Sequence, residues 1–318
     1  MRERTRIKLW SVGGGKGGVG KSIFTLGLGI CLAQMGKKVI LIDGDLGGAN
    51  LHTLIGVRYP QVTLEDFLLR KVSRLEDIVL KTQFDNIGLI CGADDILGAA
   101  NPTYTQKIRL IQQIEDMPAD FVLLDLGAGT SFNTLDLFNF SAGKIVVFTS
   151  QVTSLQNAYG FIKSALYRKL SRDYSKDEDV VNFLYQMGTK DTEVDLHSIR
   201  DLIEHLSSEP DKKVRLQRSL AEFQLFLLIN MVKSNQDLKS AEIIQTVCRD
   251  FLSLEPQVLG HLAYDPAVET AVNQMTPFPI FQKKGKAAAS LKAIASEFLV
   301  SNRLAPVMST RAAPSPAF

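Results

Sequence analysis

Short, almost unbroken apolar runs punctuate the chain at residues 7–12, 39–42, 87–91, 121–125, 145–149, 226–230 and 258–263. Runs this short without polar alternation predict strands covered on both faces. Stretches with helical periodicity fill the gaps at 22–35, 64–69, 104–115, 155–170, 238–252 and 287–300. Strand and helix signals alternating in this order predict an α/β fold. The expected form is a doubly wound, mostly parallel sheet of about seven strands with helices on both faces. One interval breaks the rhythm. About fifty-five residues separate the helix ending near Leu170 from the strand near Phe226, far more than the two to six usual in such a connection. Within it, 180–187, 196–206 and 214–223 read as short amphipathic helices, with Glu209-Pro210-Asp211 as a turn. A helical insertion at about 171–223 is therefore expected, either as a cover for an otherwise bare helix or as a partner-docking element.

Composition narrows the class without deciding it. A chain of 318 residues, 45% hydrophobic, suits one large α/β domain with a modest appendage. The formal net charge is only +2, so no strong polyanion affinity follows from the total. Four basic residues fall within 2–8, and six Lys or Arg against one Glu lie from Phe281 onward. That end either favours an anionic membrane or nucleic acid, or is a solvated end. Residues 304–318, rich in Ala, Pro and Ser, read as a disordered tail. No stretch approaches the roughly 18 apolar residues that span a bilayer, and no signal-peptide core precedes the first strand, so a cytoplasmic protein is expected. Cys31, Cys91 and Cys248 form no C-x-x-C pair, and His52, His197, His205 and His261 form no ligand cluster.

The chemistry begins where the first strand meets the first helix. Gly13-Gly14-Gly15-Lys16-Gly17-Gly18-Val19-Gly20-Lys21-Ser22 carries the P-loop spacing at Gly15, Gly20, Lys21 and Ser22. Its glycines let successive backbone N–H groups face a phosphate, and the following helix adds its positive end. Candidate nucleotide contacts are Gly15, Lys16, Gly17, Gly18, Val19, Gly20, Lys21, Ser22 and Ile23. Asp125 leaves an apolar strand at its carboxyl end, where a Walker B aspartate holds magnesium through water. Asp43 and Asp45 end the second strand, two apart and so on the same side of it.

Lys16, five residues before Lys21, gives the loop its particular stamp. Together with Asp43-Gly44-Asp45-Leu46-Gly47-Gly48-Ala49-Asn50, the GGGKGGVGKS run resembles the deviant Walker A ATPases of the MinD/ParA class, closest to the MinD-like branch. The resemblance covers about 7–300 and implies a single P-loop ATPase domain over 1–303. It implies ATP and Mg2+ as cofactors, and a homodimer when ATP is bound. Lys16 would reach the partner's nucleotide, Lys21 the bound phosphates, and Asp45 would position the attacking water. Ser22, Asp43 and Asp125 would serve the metal. Asn50 would fix its loop. Asn230 matches the asparagine that reads the adenine edge, and Asp265-Pro266 the strand-to-helix turn beside the base. Leu126-Gly127 replaces the Ser/Thr-Pro more frequent after the Walker B aspartate. The expected function is a slowly hydrolysing ATP switch that positions or counts a cellular structure through an activator or partner. Two alternatives stand beside it: a nucleotide-gated scaffold- or DNA-binding module with little turnover, and a cofactor or metal-cluster carrier ATPase, which the missing cysteine pairs disfavour. The tail, with three prolines and no apolar stripe, does not predict MinD's membrane helix, and six residues before the first strand do not predict the N-terminal extension of flagellar-number relatives.

Overall fold

The computed structural model describes residues 8–92, 102–188, 198–277 and 285–304. Its strands are β1 (Leu9–Gly13), β2 (Val39–Gly44), β3 (Leu80–Lys81), β4 (Ile87–Ile90), β5 (Phe121–Leu126), β6 (Gly143–Thr149), β7 (Leu225–Val232) and β8 (Gln257–Ala263). They form one sheet in the order β3-β4-β2-β5-β1-β6-β7-β8. All pairs are parallel except β3 with β4. Each of the seven expected strands is present. The eighth, β3, is two residues long, too short to leave a periodic signal, and it joins only the sheet's edge.

The helices are α1 (Lys21–Gln34), α2 (Leu51–Leu54), α3 (Leu64–Leu68), α4 (Tyr104–Asp116), α5 (Phe132–Phe140) and α6 (Val152–Asp173), followed by α7 (Glu178–Gly188), α8 (Ile199–His205), α9 (Pro210–Glu222), α10 (Asn235–Leu252), α11 (Pro266–Asn273) and α12 (Lys286–Leu304). Period-two alternation divides the strand residues between two cores. Val39, Leu41, Leu123, Val147 and Leu228 face a layer built on α1 and α12. Ile40, Ile42, Leu124, Phe148 and Leu227 face the layer of α4, α5, α6 and α10. The near-continuous apolarity of the strands is thus explained by burial on both faces.

The long interval after α6 is helical, as α7, α8, a 3-10 turn at Leu206–Ser208, and α9. Val180, Leu184, Leu202, Leu206 and Leu216 are buried and join the second core, so the inner side of the insertion is part of the domain interior. The basic residues before Lys8, together with 305–318, lie outside the described residues. Among the described residues, no helix is long and apolar enough to cross a membrane.

Candidate nucleotide-binding site

The site lies at the carboxyl ends of β1, β2 and β5, where the strand order reverses, β2 to β5 lying on one side of β1 and β6 to β8 on the other. Open α/β sheets bind ligands there. The glycine-rich loop leaves β1 and enters α1 at Gly20, whose φ of 90° lies in the left-handed region. A Cβ at Gly20 would also sit 2.1 Å from Asn230 Nδ2, so neither backbone nor space admits a side chain. No side chain caps α1 and no acid occupies its first turn. Its first N–H groups are therefore left to an anion in front of them.

Around that opening the structure gathers the expected charged groups. Lys21 is buried; burial lowers its pKa, and neighbouring Asp125 and Asp45 act in the opposite sense. Ser22 and Thr25 both hydrogen-bond the Asp125 carboxylate, Thr25 Oγ1 donating at 3.2 Å. Asp43 and Asp125 are neighbours across the β2–β5 ladder. Burial raises Asp125 to about 6, and burial followed by the charge of Asp125 raises Asp43 to about 7. Asp43 accepts from the Asp45 N–H at 3.2 Å and the Leu51 N–H at 2.9 Å, so it braces the loop 44–50. Asp45 is half-buried against Gly127, where an added Cβ would lie 2.9 Å from its Oδ1. That contact joins the loop after β2 to the loop after β5. Asn50 ties its own loop by donating to the Gly48 carbonyl at 2.6 Å.

A cavity of about 460 Å3 runs on from the loop, lined near the loop by Gly18, Gly20, Lys21, Ser22 and Ile23. Farther out Leu54, Met231, Leu262, Val268 and Val272 make an apolar slot of the kind a flat ring system fills. A larger cavity, about 640 Å3, opens at the opposite end of β7 and β8 and has no glycine loop. Asn230 and Asp265 line the slot. Asn230 donates from Nδ2 to the Val19 carbonyl at 2.7 Å and accepts from the Met231 N–H, tying the loop to β7. Asp265 caps α11 through the Ala267 N–H and also accepts from the Ala287 N–H at the start of α12. Asp265 and Pro266 thus form the turn from β8 into α11, with Pro266 the first residue of that helix. Lys16, Gly17 and Gly18 are exposed at the loop tip, Val19 is buried, and Gly15 packs on the main chain of Asn157. Thr25 is a site residue the sequence reading did not single out. A threonine one helical turn after Lys21 was the available signal for it.

A family model described as the CobQ/CobB/MinD/ParA nucleotide-binding domain matches residues 10–278. The chain belongs to this MinD/ParA family. FleN, an antiactivator of Pseudomonas aeruginosa, is 24% identical over 294 residues, which cover 92% of this chain and 86% of FleN. MinD of Synechocystis, a septum site-determining protein, is 32% identical over 146 residues, 45% of this chain and 54% of that MinD. Among solved structures, the Pyrococcus horikoshii MinD complexed with Mg-ADP matches with a TM-score of 0.64 at 22% identity, covering 93% of this chain and 98% of that one. The MinD/ParA fold is therefore shared along nearly the whole domain.

Proposed function

We propose that this MinD/ParA-family chain is a Mg2+-dependent ATP switch that dimerises with ATP bound, hydrolyses it slowly to ADP and phosphate, and positions or counts a cellular structure through a partner. The observation that carries the reading is the convergence of an uncapped helix start, buried Lys21, and the Ser22–Asp125 pair at one end of a ring-sized apolar slot. Mg2+ fits these residues. It typically takes one or two carboxylates plus phosphate and water. Among the described residues no group of three or more His, Cys, Asp or Glu is placed to hold a metal by itself. Asp125 and Asp43, both pushed up by burial, are the groups a nearby cation would return to the ionised form.

Ser22 and Asp125 would hold the ion, which would supply positive charge beside the phosphates. Lys21 and the first N–H groups of α1 bind the phosphates. Asp45, at the seam between the two loops, orients water. Lys16, exposed at the tip, is available to a second copy. The insertion carries the partner contact through its outer side, where Tyr185 and Val214 are mostly exposed. Calorimetric titration of Mg-ATP into the parent and Lys21→Ala, with phosphate release measured in parallel, tests the reading. Binding and slow release by the parent alone support it. Equal binding by both proteins overturns the phosphate-site assignment.

A further inference from the structure

On the side of the molecule where α4, α5 and α6 meet, Phe132 is 69% exposed although it opens α5 directly after the loop 127–131. The guanidinium of Arg168 lies over its ring at 4.5 Å and also donates from Nε and Nη2 to Asp136 at 2.9 and 3.2 Å. One helical turn along, Arg172 stacks over Phe140 at 4.5 Å and Tyr104 at 5.2 Å, and donates from Nη2 to the Tyr104 hydroxyl. Lys107 completes the cluster, 2.5 Å from Asp136. Among the described residues, Asp136 is the one carboxylate that ion-pairs with any of these three cations. Within this cluster three positive charges face one carboxylate, a local excess of two.

We infer that the Phe132–Arg168–Arg172 face is a docking surface for an acidic, aromatic-bearing segment of a partner protein. Arginine and aromatic anchors dominate protein interfaces when they are held rigid and can be desolvated together. Both arginines here are already fixed by Asp136 and by the rings, so little side-chain freedom remains to be lost on binding. Each guanidinium still has donors beyond those engaged, because the fork carries five. Carboxylates of an incoming segment match them, and its aromatic side chain covers Phe132. The surface adjoins the helical insertion, since α6 runs on toward α7. It also rides on the helix that follows Gly127, so an occupant would sense the loop that meets Asp45. The inference does not rest on nucleotide hydrolysis.

The test is fluorescence anisotropy with a labelled twelve-residue peptide of glutamates around two phenylalanines, against a lysine-for-glutamate counterpart. The proteins are the parent, Phe132→Ala, Arg172→Gln and Lys81→Gln, the last an exposed cation on β3. Melting by circular dichroism checks that each is folded; Phe132→Ala removes an exposed side chain and guards against an Arg172→Gln that fails to fold. We expect the parent to prefer the acidic peptide by about tenfold, Phe132→Ala and Arg172→Gln to weaken it by about fivefold, and Lys81→Gln to leave it unchanged. Equal affinity for the two peptides overturns the inference, as does equal weakening by Lys81→Gln and Arg172→Gln. A duplex oligonucleotide that displaces the acidic peptide and is itself lost in Arg172→Gln would overturn it in favour of nucleic acid.

Discussion

Lys21 and Gly20 show how single atoms define the phosphate cradle. Removing the Lys21 ammonium deletes a charge-assisted donor at the phosphates, and Lys21→Ala should weaken Mg-ATP by about a hundredfold, roughly 2.7 kcal/mol, by calorimetry. Gly20→Ala should disrupt the loop without touching a charge, because its Cβ would collide with the Asn230 amide and its φ would have to change. Far from the site, Lys144 is buried on β6, donating to the Ser141 carbonyl at 2.5 Å near the Phe223 ring. Burial, with Lys169 nearby, pushes it down to about 7. The unfolded lysine titrates near 10.4. Between those values the unfolded chain holds a proton that the folded chain lacks, so this residue makes stability rise with pH through that window, and below about 7 its contribution stays level at its least favourable. Lys144→Met should flatten the rise and stabilise the protein at pH 6, measured by urea midpoints across pH.

Elements differ in how plainly the sequence announces them. The seven longer strands were legible because each is a continuous apolar run, and α1, α4, α6, α10 and α12 because their periodicity is long. The helix α5 was not. Its residues Phe-Asn-Thr-Leu-Asp-Leu-Phe-Asn-Phe alternate in part with a strand-like period, and its start depends on the Ser131 cap, which accepts from Thr134 N–H. The phosphate loop and its carboxylates were legible because their spacing is local. The bracing roles of Asn230 and Asp265 were not, since their partners Val19 and Ala287 lie 211 and 22 residues away in sequence. Burial alone would raise the Asp136 pKa, but hydrogen bonds from Arg168 and Lys107 outweigh it and hold its carboxyl below the usual range. Asp136→Asn would leave the buried Lys107 ammonium without its counter-ion and should cost about 3 kcal/mol in urea unfolding, loosening α5 against α4 and α6.

At the scale of the molecule, the insertion packs on the layer of α4, α5, α6 and α10, while the nucleotide site lies at the carboxyl ends of β1, β2 and β5. Because Val180, Leu202 and Leu216 are built into the core, replacing 180–223 by a Gly/Ser link should lower the melting temperature substantially. Tyr185→Ser with Val214→Ser removes only exposed apolar surface, so it should leave melting unchanged while weakening capture of the partner by the ATP-loaded protein. Pull-down and thermal melting on both proteins separate cover from contact. A nucleotide-driven change of assembly is read out by light scattering on Asp45→Ala at saturating Mg-ATP. With binding intact and water unoriented, this variant should hold twice the chain mass with ATP and the single-chain mass with ADP, and adding Lys16→Ala should return the ATP form to the single mass. An Asp45→Ala protein that binds Mg-ATP by calorimetry yet stays at the single-chain mass would rule out an ATP-driven dimer.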